Sequence, residues 1–94
     1  MLGGLRFLGF DPSYITDVNN VKETCTFAIS TARASSVSNL PTATVAHRFV
    51  VIRTDTDNNC IQFAFSNTML PKDLYYRIYA GEWLGWRKIS YTTT

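Results

Sequence analysis

Histidine, cysteine and charge are scarce in this chain, and each scarcity removes a class of function. The 94 residues include one histidine, His47, and two cysteines, Cys25 and Cys60. A hydrolytic triad or a zinc site would have to be assembled around His47. No cysteine or carboxylate lies close to it in sequence, and no serine sits in a nucleophile elbow. His47 is therefore expected to end a loop and to titrate in the ordinary histidine range. Cys25 and Cys60 are too few for a disulfide framework. They fall in separate expected strands, could bond only if those strands adjoin at a suitable Cα spacing, and read as buried thiols behaving like small apolar side chains.

Charged residues make up 17% of the chain and leave a net charge of +2. Arg6, Arg33, Arg48, Arg53, Arg77 and Arg87 never cluster into a run, so no nucleic-acid partner is expected. No apolar stretch approaches the length a bilayer crossing requires, so no membrane insertion is expected. Residues 1–10 are apolar but interrupted by Arg6 and by glycines, with no small-residue cleavage site, and are not read as a signal peptide. Leu2 in place of glycine removes myristoylation. Repeats and low-complexity segments are also lacking.

Aromatic and β-branched residues in alternation are what the chain has in quantity. From Leu74 to Tyr79 the residues alternate, with Tyr75, Arg77 and Tyr79 on one side and Leu74, Tyr76 and Ile78 on the other. Gly81 suits the positive φ of a tight turn, and Gly85 suggests a bulge or bend. Trp86 to Ile89 is then expected to return antiparallel, with the Trp86 indole covering Tyr76 or Ile78. Both tryptophans and most of the tyrosines lie here, so this stretch reads as the core hairpin.

The same alternation marks strands over Thr24–Ser30, Arg48–Thr54 and Cys60–Phe65. Thr16-Asp17 is placed to cap a short helical turn over Val18–Glu23. Thr31 to His47, rich in serine, threonine and alanine, reads as a long loop that could hold one irregular edge strand, and Asn67–Asp73 as a link. The opening residues Leu2, Leu5, Phe7, Leu8 and Phe10 are too apolar for a free tail, and glycines at 3, 4 and 9 argue against a helix. They form either a first strand or an arm that holds an assembly together. The chain is thus expected to be mainly β and antiparallel, with at most one short helix. Residues 1–12 are the arm or first strand, and residues 13–94 are a single domain.

Two acidic patterns invite chemistry. Asp55-x-Asp57-x-Asn59 imitates the start of a calcium loop but has Cys60 at the glycine position and Ser66 at the glutamate position, so it reads as a hairpin turn. Asp73 and Glu82 flank the aromatic hairpin, but a chain this short has little room for a cleft that would drive their pKa values apart. No enzyme, catalytic residue, metal site or cofactor is expected. Aromatics at one end of a β domain can instead form a sugar-binding platform, and Trp83, Tyr75 and Tyr79 are the candidate contacts.

The residues of the closing segment also carry a resemblance. Tyr76-Arg77, a turn with Gly81, then Trp83, Trp86, Lys88 and Ile89 resembles the closing motif of the knob domains of phage tail fibres and R-type pyocins. Upstream, Asp17-Val18-Asn19 is similar to that family's Asp-Leu-Asn opening, with Phe27 at its aromatic position. Phe49–Ile52 looks like its central hydrophobic strand, and Gln62 like the glutamine of the partner strand; Thr24-Cys25 stands where the family usually carries Pro-Gly. The resemblance spans about Asp17 to Ile89. It implies a small β-sandwich-like knob in a virion protein assembled in the bacterial cytoplasm, part of a fibre, head spike or baseplate. It further implies a homo-oligomer, with a trimer favoured, that contacts other virion proteins or host surface polysaccharide. The rival expectations are a decoration protein of capsid or tail that never touches the host, and a free-standing carbohydrate-binding module.

Overall fold

Strands form wherever the sequence alternates. The computed structural model describes residues 5–42, 45–57, 59–66 and 73–90. It contains β1 (Arg6–Phe10), a 3-10 turn (Val18–Asn20), β2 (Cys25–Ile29), a single helical turn α1 (Thr31–Ala34), β3 (His47–Arg53), β4 (Cys60–Ser66), β5 (Asp73–Tyr79) and β6 (Arg87–Ser90). The mainly β expectation holds, with the six strands in one sheet whose spatial order follows the sequence. From β2 to β6 every neighbour pair is antiparallel, while β1 runs parallel to β2 and makes the sheet mixed. Within the opening segment, Arg6–Phe10 is therefore a strand of the sheet.

A parallel pair needs a long crossover, and residues 11–24 supply it. Asp11 turns the chain out of β1 at φ 52°, and its carboxylate accepts a hydrogen bond from the Ser30 N–H at 2.7 Å. Ser30 in turn caps α1, its hydroxyl accepting from the Arg33 N–H. The Arg33 guanidinium reaches back to donate to the Pro12 and Ile15 carbonyls. In the crossover itself, Asp17 caps the 3-10 turn by accepting from the Asn19 N–H, a shorter element than the turn expected over Val18–Glu23. Within β1 the register steps from Phe7 opposite Thr26 to Gly9 opposite Phe27, so Leu8 is an extra residue. Gly9 takes up the step at φ 87°, where a side chain would be strained.

One face of the sheet is covered. Cys25, Phe27 and Ile29 of β2, His47, Phe49 and Val51 of β3, and Cys60, Gln62 and Ala64 of β4 are all buried there. The crossover and the β2–β3 connection lie over them, contributing Ile15, Val18, Val21 and Val37 to one apolar cluster. The Phe27 and Phe49 rings stack at its centre, 4.7 Å apart and 7° from parallel. The core thus sits on β2–β4, and the final hairpin is its margin rather than its centre. Trp83 and Trp86 are partly buried and pack against the cluster from the side. This corrects the expected position of Trp86, whose ring meets Phe49 edge-on at 6.3 Å and lies on the opposite face from Tyr76 and Ile78.

The other face is uncovered among the described residues. Its side chains fall into three rows set by the strand register. The first is Ile52, Ile61 and Ile78. The second runs Phe7, Thr26, Val50, Phe63, Tyr76 and Arg87, and the third Phe10, Ala28, Arg48, Phe65, Leu74 and Ile89.

Candidate functional site

The residues that carry the sequence motifs meet where the end of the sheet holds down its loops. Gln62 is fully buried in β4, and its amide donates to the Val18 and Val21 carbonyls at 2.7 and 2.9 Å. Its carbonyl accepts from Arg77 Nε at 2.9 Å. The Arg77 guanidinium is sandwiched between two indoles, 3.9 Å from the Trp83 ring centre and 4.5 Å from that of Trp86. Each indole N–H then donates to a loop carbonyl, Trp83 to Asn19 at 3.1 Å and Trp86 to Asn39 at 2.8 Å. Burial pulls the Arg77 pKa down to about 10, opposed by the nearby Asp17 carboxylate, so the cation persists at neutral pH. Arg77 is only 5% exposed. It works as a clamp between sheet and loops and offers no face to a substrate.

The candidate glycan contacts gather along this margin. Tyr79 and Trp83 lie 5.1 Å apart at a 58° tilt, with Lys22 Nζ 4.1 Å from the Tyr79 ring centre. Tyr75 meets His47 edge-on at 6.2 Å. All three aromatics are half-buried against the core. Beside β1, Leu8, Tyr14, Asp17, Asn20 and Glu23 line a shallow pocket of about 240 Å³. Its carboxylates are already engaged. Asp17 accepts from Asn19 and Asn39, and Glu23 pairs with Arg6.

His47 departs from expectation. It opens β3 fully buried, its Nε2 3.2 Å from the Thr42 hydroxyl, and burial lowers its pKa from the ordinary value. Asp55 behaves as a turn residue. Its carboxylate accepts from the Asp57 N–H and the Asn59 amide, and the Asn59 bond leads in holding its pKa below the usual carboxylate range. Cys25 and Cys60 are free and buried, with β3 standing between their strands. Two strand spacings, with a further two-residue offset along β4, put their Cα atoms more than about 10 Å apart, beyond disulfide reach. Glu82 is exposed in the turn, while the Asp73 side chain and residues 67–72 lie outside the described residues. Among the described residues, no three His, Cys, Asp or Glu side chains gather as metal ligands would.

Of the assembly residues, Leu8 packs against the core, Leu5, Phe7 and Phe10 are exposed, and Leu2 lies outside the described residues. Phe7 and Phe10 belong to the uncovered face, and so do most of the large apolar side chains the chain leaves in water. Of the nine such residues among those described, Phe7, Phe10, Ile52, Phe65, Ile78 and Ile89 occupy its rows. Sequence reasoning missed this face. The signal was present in strands such as β4, where Ile61, Phe63 and Phe65 alternate with residues that are themselves buried. A strand apolar on both sides needs cover on both sides.

No known protein family, curated protein or solved structure matches the chain.

Proposed function

We propose that the chain is a structural protein of a phage particle, a knob-like domain built into a fibre, head spike or baseplate as a homo-oligomer, with three copies favoured. The observation that carries the reading is the Arg77 clamp. Arg77, Trp83 and Trp86, which anchor the resemblance to phage and pyocin knobs, meet in one stack across the turn. The proposed place of action is the virion, and no catalytic step is assigned to it. Within this reading, the half-burial of Trp83, Tyr75 and Tyr79 favours an architectural role over adhesion to host polysaccharide. A sugar platform works best when its aromatic faces are free.

Gold-labelled antibody against the chain, applied to purified particles from cells that carry its coding sequence, tests the proposal. Label is expected at one repeated position on head, tail or baseplate. A chain that stays wholly in the particle-free fraction overturns it.

A further inference from the structure

A sheet buries its apolar faces against other layers, and among the described residues this sheet has only one covering layer. We propose that copies of this chain assemble by packing their uncovered sheet faces against one another. The inference rests on the homo-oligomer part of the proposed function, pairs two copies at this face rather than the three favoured there, and is independent of the phage assignment.

Size is the first argument. Six strands about 4.8 Å apart, bearing three same-face rows about 6.7 Å apart, make a footprint of roughly 500 Å² before corrugation is counted. Two such faces together remove about 1,000–1,500 Å² from water, which reaches the range of specific protein interfaces. A small domain that buries a modest share of its own surface gains most from such sharing.

Composition is the second. The first row is isoleucine throughout, and the centre of the second is Val50, Phe63 and Tyr76. The charged side chains described on this face are Arg48 and Arg87. Arg87 sits on the edge strand β6, and Arg48 lies in the third row, near the end of the sheet. Both can lay their stems on the apolar rim and keep their guanidinium groups in water. An apolar centre matches another copy of itself, and the two arginines at the rim are few enough to turn to water without facing each other. A glycan would need polar partners, and apart from the arginines the described rows offer only the Thr26 and Tyr76 hydroxyls. Face-to-face packing at about 10 Å between sheets would let the isoleucine and phenylalanine rows interdigitate.

Sedimentation velocity on the full chain at micromolar concentration is the test, with the Ile52→Glu/Ile78→Glu double variant beside a Leu84→Glu control. Leu84 is exposed but lies outside the strands. The unaltered chain and the control should sediment as the same oligomer. The double variant should sediment as a monomer with its β spectrum retained, its dissociation constant raised by more than about 100-fold. Should the double variant not fold, hydroxyl-radical footprinting of the unaltered chain decides. Phe65 and Ile78 should be protected in the oligomer and labelled on dilution, while Tyr14 and Leu84 should label equally in both. A chain that is monomeric at every concentration overturns both this inference and the homo-oligomer reading. An oligomer that survives the double substitution, or whose Phe65 and Ile78 label as fast as Tyr14, overturns the choice of face alone. Protection that appears only on adding a different protein, or a polysaccharide, overturns it too.

Discussion

The two faces of the sheet come from the same strands and carry similar amounts of apolar side chain, but the described residues close only one of them. On the covered face, Phe49, Val51, Cys60 and Ala64 are at most 1% exposed. Polar groups join them only with partners, as when Gln62 satisfies two loop carbonyls and Arg77 at once. On the other face, Ile52, Phe65, Ile78 and Ile89 stay 38–44% exposed. The difference lies in the connections rather than in the strands. The crossover and the β2–β3 connection both fall on one side, and the polar clamp keeps them there. The core is thus locked by hydrogen bonds, while the opposite face carries no such layer among the described residues.

Matched substitutions sharpen the contrast. Phe49→Ala should cost about 3–5 kcal/mol, because the ring is fully buried and stacked on Phe27. Urea denaturation would measure it, and a loss no larger than that of an open-face residue would break the distinction. Gln62→Leu keeps the volume but strands the Val18 and Val21 carbonyls and Arg77 Nε, and a loss of about 2–3 kcal/mol is expected. Faster hydrogen exchange in residues 18–21 should accompany it. Ile78→Ala, measured where the chain is dissociated, should cost about 1 kcal/mol or less, because that side chain is already partly in water.

Two smaller effects concern the titratable groups of the covered face. The folded chain holds His47 neutral to below its ordinary pKa near 6.5, while the unfolded chain takes up the proton at that value. Unfolding is therefore coupled to proton uptake. The stability present above about pH 6.5 is lost as the pH falls through this window toward the lower folded value. Denaturation midpoints measured between about pH 7 and pH 5 should decline, and His47→Phe should flatten the slope across this range. Burial pushes the Cys25 thiol up to about 12 and raises Cys60 as well. Both should resist a thiol reagent at mildly alkaline pH in the native chain and react fully once it is denatured without reductant. A linked Cys25–Cys60 peptide would contradict the strand order.

Much of this was legible in the sequence because alternation is a local property. All four strands expected from the pattern form, with ends displaced by a residue or so at Cys25–Ile29, His47–Arg53, Cys60–Ser66 and Asp73–Tyr79. The Asp55 turn was legible for the same reason, since its bonds close within four residues. What alternation cannot convey is which side of a strand the loops will occupy. Tyr75, Arg77 and Tyr79 were separable from Leu74, Tyr76 and Ile78, but nothing local says that the first set faces the core. His47 was misread likewise. Its burial depends on Phe49 and Tyr75, whose rings approach it in the folded sheet. The role of Gln62 needed contacts across more than 40 residues of chain.

The indole pair has an optical consequence. Both tryptophans of the chain flank Arg77, and each N–H is bound to a carbonyl of the loop layer. Emission excited at the red edge of the absorption band therefore originates on the covered side alone. It reports whether the segments around Asn19 and Asn39 are seated, and shifts to longer wavelength when they lift. The opposite side holds no chromophore of that kind among its described rows, so a contact made there would leave this emission unchanged. Intrinsic fluorescence and light scattering then become separate channels on one sample, the first following closure of the core and the second following association.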